Sequence, residues 1–105
     1  MTYELMDEIL IEMGLPYTYY QFSGDNLPAG DKYIAYFESE KVRFLADDKV
    51  FHYTPTFAIE LYTKYKEPNT EKQLIDLLDQ YEVVWSGGES TWIESEQMFQ
   101  TVFYC

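Results

Sequence analysis

One cysteine, one histidine and seven basic residues are all that 105 positions offer in those classes, and each scarcity removes a kind of function. Cys105 stands alone, so an intramolecular disulfide is impossible and a reducing cytoplasm is the natural compartment. His52 leaves no set of histidines for a metal site, and a catalytic triad built on it has no evident Ser or Cys partner. Seven Lys and Arg against 19 Asp and Glu give a formal charge of −12. Phosphate neutralisation needs clustered cations, so sequence-specific nucleic-acid binding is not expected. No apolar run approaches the roughly 20 residues of a membrane span. The first residues, "MTYELMDEILIEMG", carry acids where a signal peptide carries bases, so no membrane association or export is expected. Internal repeats and low-complexity tracts are absent as well.

Chemistry-bearing motifs are equally sparse. Gly87 and Gly88 belong to no G-x-x-x-x-G-K-[ST] phosphate loop and read as loop glycines. Adjacent Asp47 and Asp48 lack the alternating spacing of a calcium loop and mark a turn, and Glu89, Glu94 and Glu96 read as a solvated loop. No pair among the carboxylates is singled out for acid and base roles. The expectation is a protein that is not an enzyme and holds no metal or cofactor.

What the chain does have is core material. With 47% hydrophobic residues it can fold alone as one domain, 1–105, burying roughly two thirds of the surface of the unfolded chain. Eleven Tyr and seven Phe form an aromatic load suited to a sheet with one wet face, or to surfaces later covered by a partner.

Leu5, Met6, Ile9, Leu10 and Met13 share one helical stripe, with Glu4, Asp7, Glu8 and Glu12 opposite. Thr2 suits the N-cap, and Gly14 with Pro16 gives the stop. Extended segments follow at 17–22, 32–39, 41–46 and 50–65. In the last, Phe57, Ile59 and Leu61 alternate with Ala58, Glu60 and Tyr62, the period of a strand with one buried face. Pro55 cannot donate to a ladder and marks a bulge, a sheet edge or the start of the regular strand. After "KEPN", Thr70 and Gln73 have capping-box spacing ahead of the apolar set Leu74, Ile75, Leu77, Leu78 and Tyr81. "EVVWS" and "EQMFQTVFYC" read as two closing strands around a loop holding Gly87 and Gly88. The order α-β-β-β-β-α-β-β predicts an α+β domain, two helices on one face of a mainly antiparallel sheet.

Lys41, Arg43 and Lys49 place three of the seven basic residues on a hairpin around "FLADDKVF". With Asp47 and Asp48 they form the candidate subunit interface, since alternating signs help set the register of an assembly. A self-compensating solvated face is the plainer reading of the same residues.

The succession "MDEILIEMGLPYTYYQF", "LPAGDKYIAYFES", "ADDKVFHYTPTFAIELYTKYKEPNTEKQLIDLL" and "WIESEQMFQTVFYC" resembles the small tail terminator, or tail completion, proteins of long-tailed bacteriophages, the lambda-type group. Its most specific points are "IELYT", the "KEP" connection into a Leu-rich helix and the closing "QTVFY" after "ESE". The resemblance implies a homo-oligomer, commonly a hexameric ring, that caps the head-proximal end of the tail tube. Its partners would be the tail tube protein and the head connector proteins, first in the host cytoplasm and then in the virion tail or neck. Net negative charge toward a ring lumen would let DNA pass without holding it. Two alternatives stand beside this expectation: a head completion or stopper protein of the neck, and a small acidic regulatory or inhibitor protein.

Overall fold

The computed structural model describes the backbone of residues 1–20, 30–46 and 49–105, and side chains within these outside 40–55. Among the described residues the order is α1 (Tyr3–Met13), β1 (Tyr17–Tyr19), β2 (Lys32–Ala46), β3 (Lys49–Thr63), α2 (Pro68–Gln80), β4 (Ser86–Ile93) and β5 (Met98–Tyr104). The strands form one sheet in the order β1-β2-β3-β5-β4. β1 runs parallel to β2 and every other neighbour is antiparallel. The α+β class, with its helix, strands, helix, strands, is the one expected.

α1 forms where its stripe and caps dictate. Thr2 Oγ1 accepts from the Leu5 amide at 3.1 Å, and Gly14 closes the helix in the left-handed region at φ 81°. Met6, Ile9, Leu10 and Met13 are buried. α2 contributes Leu74, Leu77 and Leu78, with Ile75 and Tyr81 packed against them. Both helices lie on the same side of the sheet. Register places Tyr36 beside Ile59 and Ile59 beside Phe103, and all three join the cluster that the helices cover. Phe57 is completely buried there, and the Tyr3 ring meets it edge-on, centroids 4.8 Å apart.

The structure differs from the sequence expectations in four places. Segments 32–39 and 41–46 are one strand, carried through the polar "ESEK" by a register shift between Glu38 and Glu40. Such a bulge absorbs an extra residue without ending the strand. The first strand stops at Tyr19, because Tyr20 turns to φ 76°; the remainder of segment 17–22 and the loop up to residue 29 lie outside the described residues. Thr70 and Gln73 do not form a capping box, since α2 begins earlier, with Pro68 in its first turn and Glu67 at the N-cap. Finally, "EVVWS" is not a strand: β4 starts at Ser86 and contains both glycines, with a register shift between Gly87 and Glu89.

The Gly pair belongs there for a steric reason. Gly87 has φ +90°, and a Cβ at that position would sit 2.5 Å from the Val102 carbonyl oxygen. Only glycine lets β4 approach β5 that closely while turning through the left-handed region.

Pro55 is opposite Lys41 on β2, while pairing of β3 with β5 begins only at Ala58. It therefore stands at a sheet edge, where a missing donor costs no ladder bond.

Candidate functional site

β2 and β3 are each 15 residues long, yet only their inner halves belong to the five-stranded sheet. β1 reaches β2 only at residues 34–36 and β5 reaches β3 only at 58–63, whereas β2 and β3 stay paired from Lys32↔Thr63 out to Ala46↔Lys49. The outer part, residues 40–46 and 49–55, is a two-stranded arm that no third strand joins among the described residues. Three of the candidate interface residues fall on it. Lys41 is opposite Pro55, Arg43 opposite Tyr53, and Lys49 opposite Ala46. Asp47 and Asp48 lie outside the described residues. His52 is opposite Phe44 on the same arm, remote in the ladder from the residues of the sheet proper.

A two-stranded ribbon is marginal by itself in water. This one also carries Val42, Phe44, Leu45, Val50, Phe51 and Tyr53.

The second feature is the sheet face away from the helices. Ala58, Glu60 and Tyr62 of β3 share it with Tyr33 and Ala35 of β2 and with Gln100 and Val102 of β5, as their register requires. Both helices pack on the opposite face. The Tyr33 and Tyr62 rings stack, centroids 4.9 Å apart and 19° from parallel. Beside them Gln100 Nε2 donates to Tyr62 Oη at 2.8 Å and to Glu60 Oε2 at 3.1 Å, and Tyr62 Oη donates to Glu60 Oε1 at 3.2 Å. Burial among these neighbours pushes the Glu60 carboxyl above the usual range, only partly offset by the Tyr62 hydroxyl. Burial likewise raises Tyr62 to about 12. Among the described residues no basic side chain forms an ion pair with Glu60.

The sequence flags half of this cluster. The alternation in "FAIELY" puts Glu60 and Tyr62 on the non-core phase, but Gln100, forty residues on, has no local signal. Its partners become visible only from the β3–β5 register.

A third cluster looks chemical and is structural. Ser90 Oγ receives a hydrogen bond from Lys66 Nζ at 2.9 Å and lies 2.6 Å from Thr101 Oγ1. A serine nucleophile would need a neutral amine as base. Lys66 is instead ion-paired with Glu71, so its ammonium is a donor. Nearby, Lys32 pairs with Glu67 at 2.9 Å and donates to Thr70 Oγ1 at 3.3 Å. These contacts fasten the start of α2 to β2, β4 and β5.

The remaining carboxylates divide by position. Glu4, Asp7, Glu8 and Glu12 line the exposed side of α1, where Asp7 accepts from Tyr36 and Glu12 from Tyr81. Glu94 accepts from Trp92 Nε1 at 2.7 Å and holds the turn between β4 and β5. Among the described residues no three His, Cys, Asp or Glu side chains converge to hold a metal ion. In the same residues no helix is long and apolar enough to cross a membrane.

Compared with known proteins, the chain matches no family model, no curated protein and no solved structure.

Proposed function

We propose that the protein is a structural subunit of a long-tailed bacteriophage, forming a ring that caps the head-proximal end of the tail tube and joins it to the head connector. The observation that supports this reading is the β2–β3 arm, a paired two-stranded extension running beyond the strands that flank it. An extension of that kind makes sense in a protein whose fold is completed by neighbours. The motif order from "MDEIL" to "QTVFY" gives the assembly its proposed identity.

Rings of identical subunits close through two different complementary patches on each copy. The arm and the sheet face away from the helices are the two surfaces this reading would use. The acidic side of α1 fits the same picture. A ring lumen lined with carboxylates repels DNA over about a Debye length, roughly 8 to 10 Å at moderate salt, and lets it slide.

The test is solution mass by light scattering on a sizing column, across concentration, with and without purified tail tube protein. A discrete closed oligomer, alone or on tube ends, is the expected result. A monomer or dimer that ignores the tube at every concentration, or one that binds filled capsids instead, overturns the terminator assignment.

A further inference from the structure

We infer that the pocket at the C-terminal end of α2 receives an arginine side chain brought by a partner protein. The inference stands apart from the ring reading, since it uses neither the β2–β3 arm nor the sheet face away from the helices.

Asp79, Glu82, Val83, Val84 and Trp85 line an open pocket of about 360 Å³. Its walls are fixed from inside the fold. The Trp85 ring meets the buried Phe103 ring edge-on, centroids 5.5 Å apart, and its Nε1 donates to Asp79 Oδ1 at 3.0 Å. The indole is thus held beside a carboxylate whose second oxygen is left for another donor. The Val83 amide donates to the Leu78 carbonyl at 2.9 Å and the Glu82 amide to the Asp79 carbonyl at 3.0 Å, so the chain leaving α2 is tied back to the helix end.

All the charge at this site has one sign. The C-terminal end of a helix carries partial negative charge, which a basic residue in the last turn ordinarily answers. α2 has no basic residue there; Asp79 lies in that turn, and Glu82 follows just beyond the C-cap Tyr81. Among the described residues neither carboxylate is in an ion pair. Lys32, Lys66 and Lys72 are held by Glu67, Glu71 and Asp76, and Lys64 lies over the Tyr65 ring. Glu82 adds an observation of another kind. Its φ of 58° is in the left-handed region that a helix stop ordinarily gives to glycine. The chain keeps a carboxylate where glycine would be the more stable choice.

The pocket's other residues select arginine among cations. A planar guanidinium stacks on an indole while its fork of N–H donors reaches carboxylates beside the ring. A lysine ammonium is a compact, strongly hydrated point charge that cannot lie flat on it. Val84, 91% exposed, also lines the pocket. A free cation would leave that side chain in water, whereas a protein surface delivering an arginine covers it. The net charge of −12 draws basic partners in the same direction.

The test uses the full chain and N-acetyl-arginine methylamide as probe, with its citrulline analogue as neutral isostere and tetramethylammonium as compact cation. The two tryptophans give two indole N–H signals in a nitrogen–proton spectrum, and Trp92→Phe assigns that of Trp85. The arginine probe should shift the Trp85 signal saturably, with a dissociation constant on the order of millimolar, as one side chain in an open site allows. Citrulline should not. Glu82→Gly should weaken the probe about threefold or more while the urea midpoint stays equal or rises, a pair of results that a damaged fold does not produce. Asp79→Asn keeps an acceptor for the indole, removes a charge and should weaken binding in the same sense. An arginine flanked by two valines in a blocked tripeptide should bind several-fold tighter than the single residue, and Val84→Ser should remove that gain. No saturable shift with arginine, an equal response to citrulline, or unchanged binding in both carboxylate variants overturns the site. Tighter binding of tetramethylammonium than of the arginine probe overturns arginine as the occupant, and a tripeptide no tighter than the single residue overturns a partner protein as its source.

Discussion

Gln73, near the middle of α2, donates from Nε2 to the backbone carbonyl of Met13 at 3.3 Å, so a side chain of one helix satisfies an orphan acceptor at the end of the other. This bond ties together the two helices that share the core. Gln73→Ala should cost about 1 kcal/mol, the net worth of a typical intramolecular hydrogen bond, seen as a lower urea midpoint at unchanged slope. Gln73→Glu should cost more, because it removes the donor and sets a carboxylate against the negative end of α1.

Gly87 and Gly14 both have positive φ but differ in their surroundings. A Cβ at Gly14 meets nothing within 4 Å, so Gly14→Ala should carry only the left-handed penalty of about 1 to 2 kcal/mol. Gly87→Ala adds a clash with the Val102 carbonyl. It should destabilise clearly more than Gly14→Ala in parallel urea titrations, and amide exchange should quicken first along the β4–β5 ladder.

Alkaline pH should unfold the protein through its buried tyrosines. Burial first, then the carboxylate of Asp7, holds Tyr36 protonated up to about 12, and burial does the same for Tyr62. Below pH 10 these phenols are neutral in both folded and unfolded chains and do not tilt the balance. Between 10 and about 12 the unfolded chain releases protons that the folded chain retains, so stability falls as pH rises. Urea midpoints measured from pH 8 to 11 should be flat with respect to these groups and then decline. Tyr62→Phe should soften that decline.

Cys105 should be a slow thiol in the folded state. Burial lifts it to about 11 from an ordinary 9.0, with the Met1 amino group pulling the other way. At pH 8 the thiolate fraction is then roughly a hundredfold below that of an unperturbed thiol. Iodoacetamide should label the native protein slowly and the urea-unfolded protein quickly, by mass spectrometry against time. Equal rates would contradict the burial of Cys105.

Where local physics decides, sequence was a sound guide. The stripe from Leu5 to Met13, the Thr2 cap and the Gly14 stop all act within one turn of their own residues, and α1 formed as they specify. Thr70 and Gln73 have the right spacing for a capping box but were claimed by distant partners. Lys32 donates to the Thr70 hydroxyl, and Gln73 reaches Met13 across sixty positions of sequence. Gly87 and Gly88 were misleading in another way. A glycine pair signals a loop by propensity, whereas here both positions serve the close approach of two strands. Of the candidate interface residues, Lys41, Arg43 and Lys49 were readable as a hairpin, and the structure places them on the arm. The Glu60, Tyr62 and Gln100 cluster was not readable as a unit, because strand pairing brings it together and pairing is a property of the whole sheet.

The strand order has a consequence for how the chain is made. β5, the last in sequence of the seven elements among the described residues, lies between β3 and β4. During synthesis the earlier elements emerge with the β3 edge open and with β4 lacking any strand to pair with. The sheet thus acquires its fourth and fifth strands together, when residues 98–104 slot between two waiting edges. A nascent chain stalled before that point would expose unpaired strand edges, and this is the interval in which a chaperone would have something to hold.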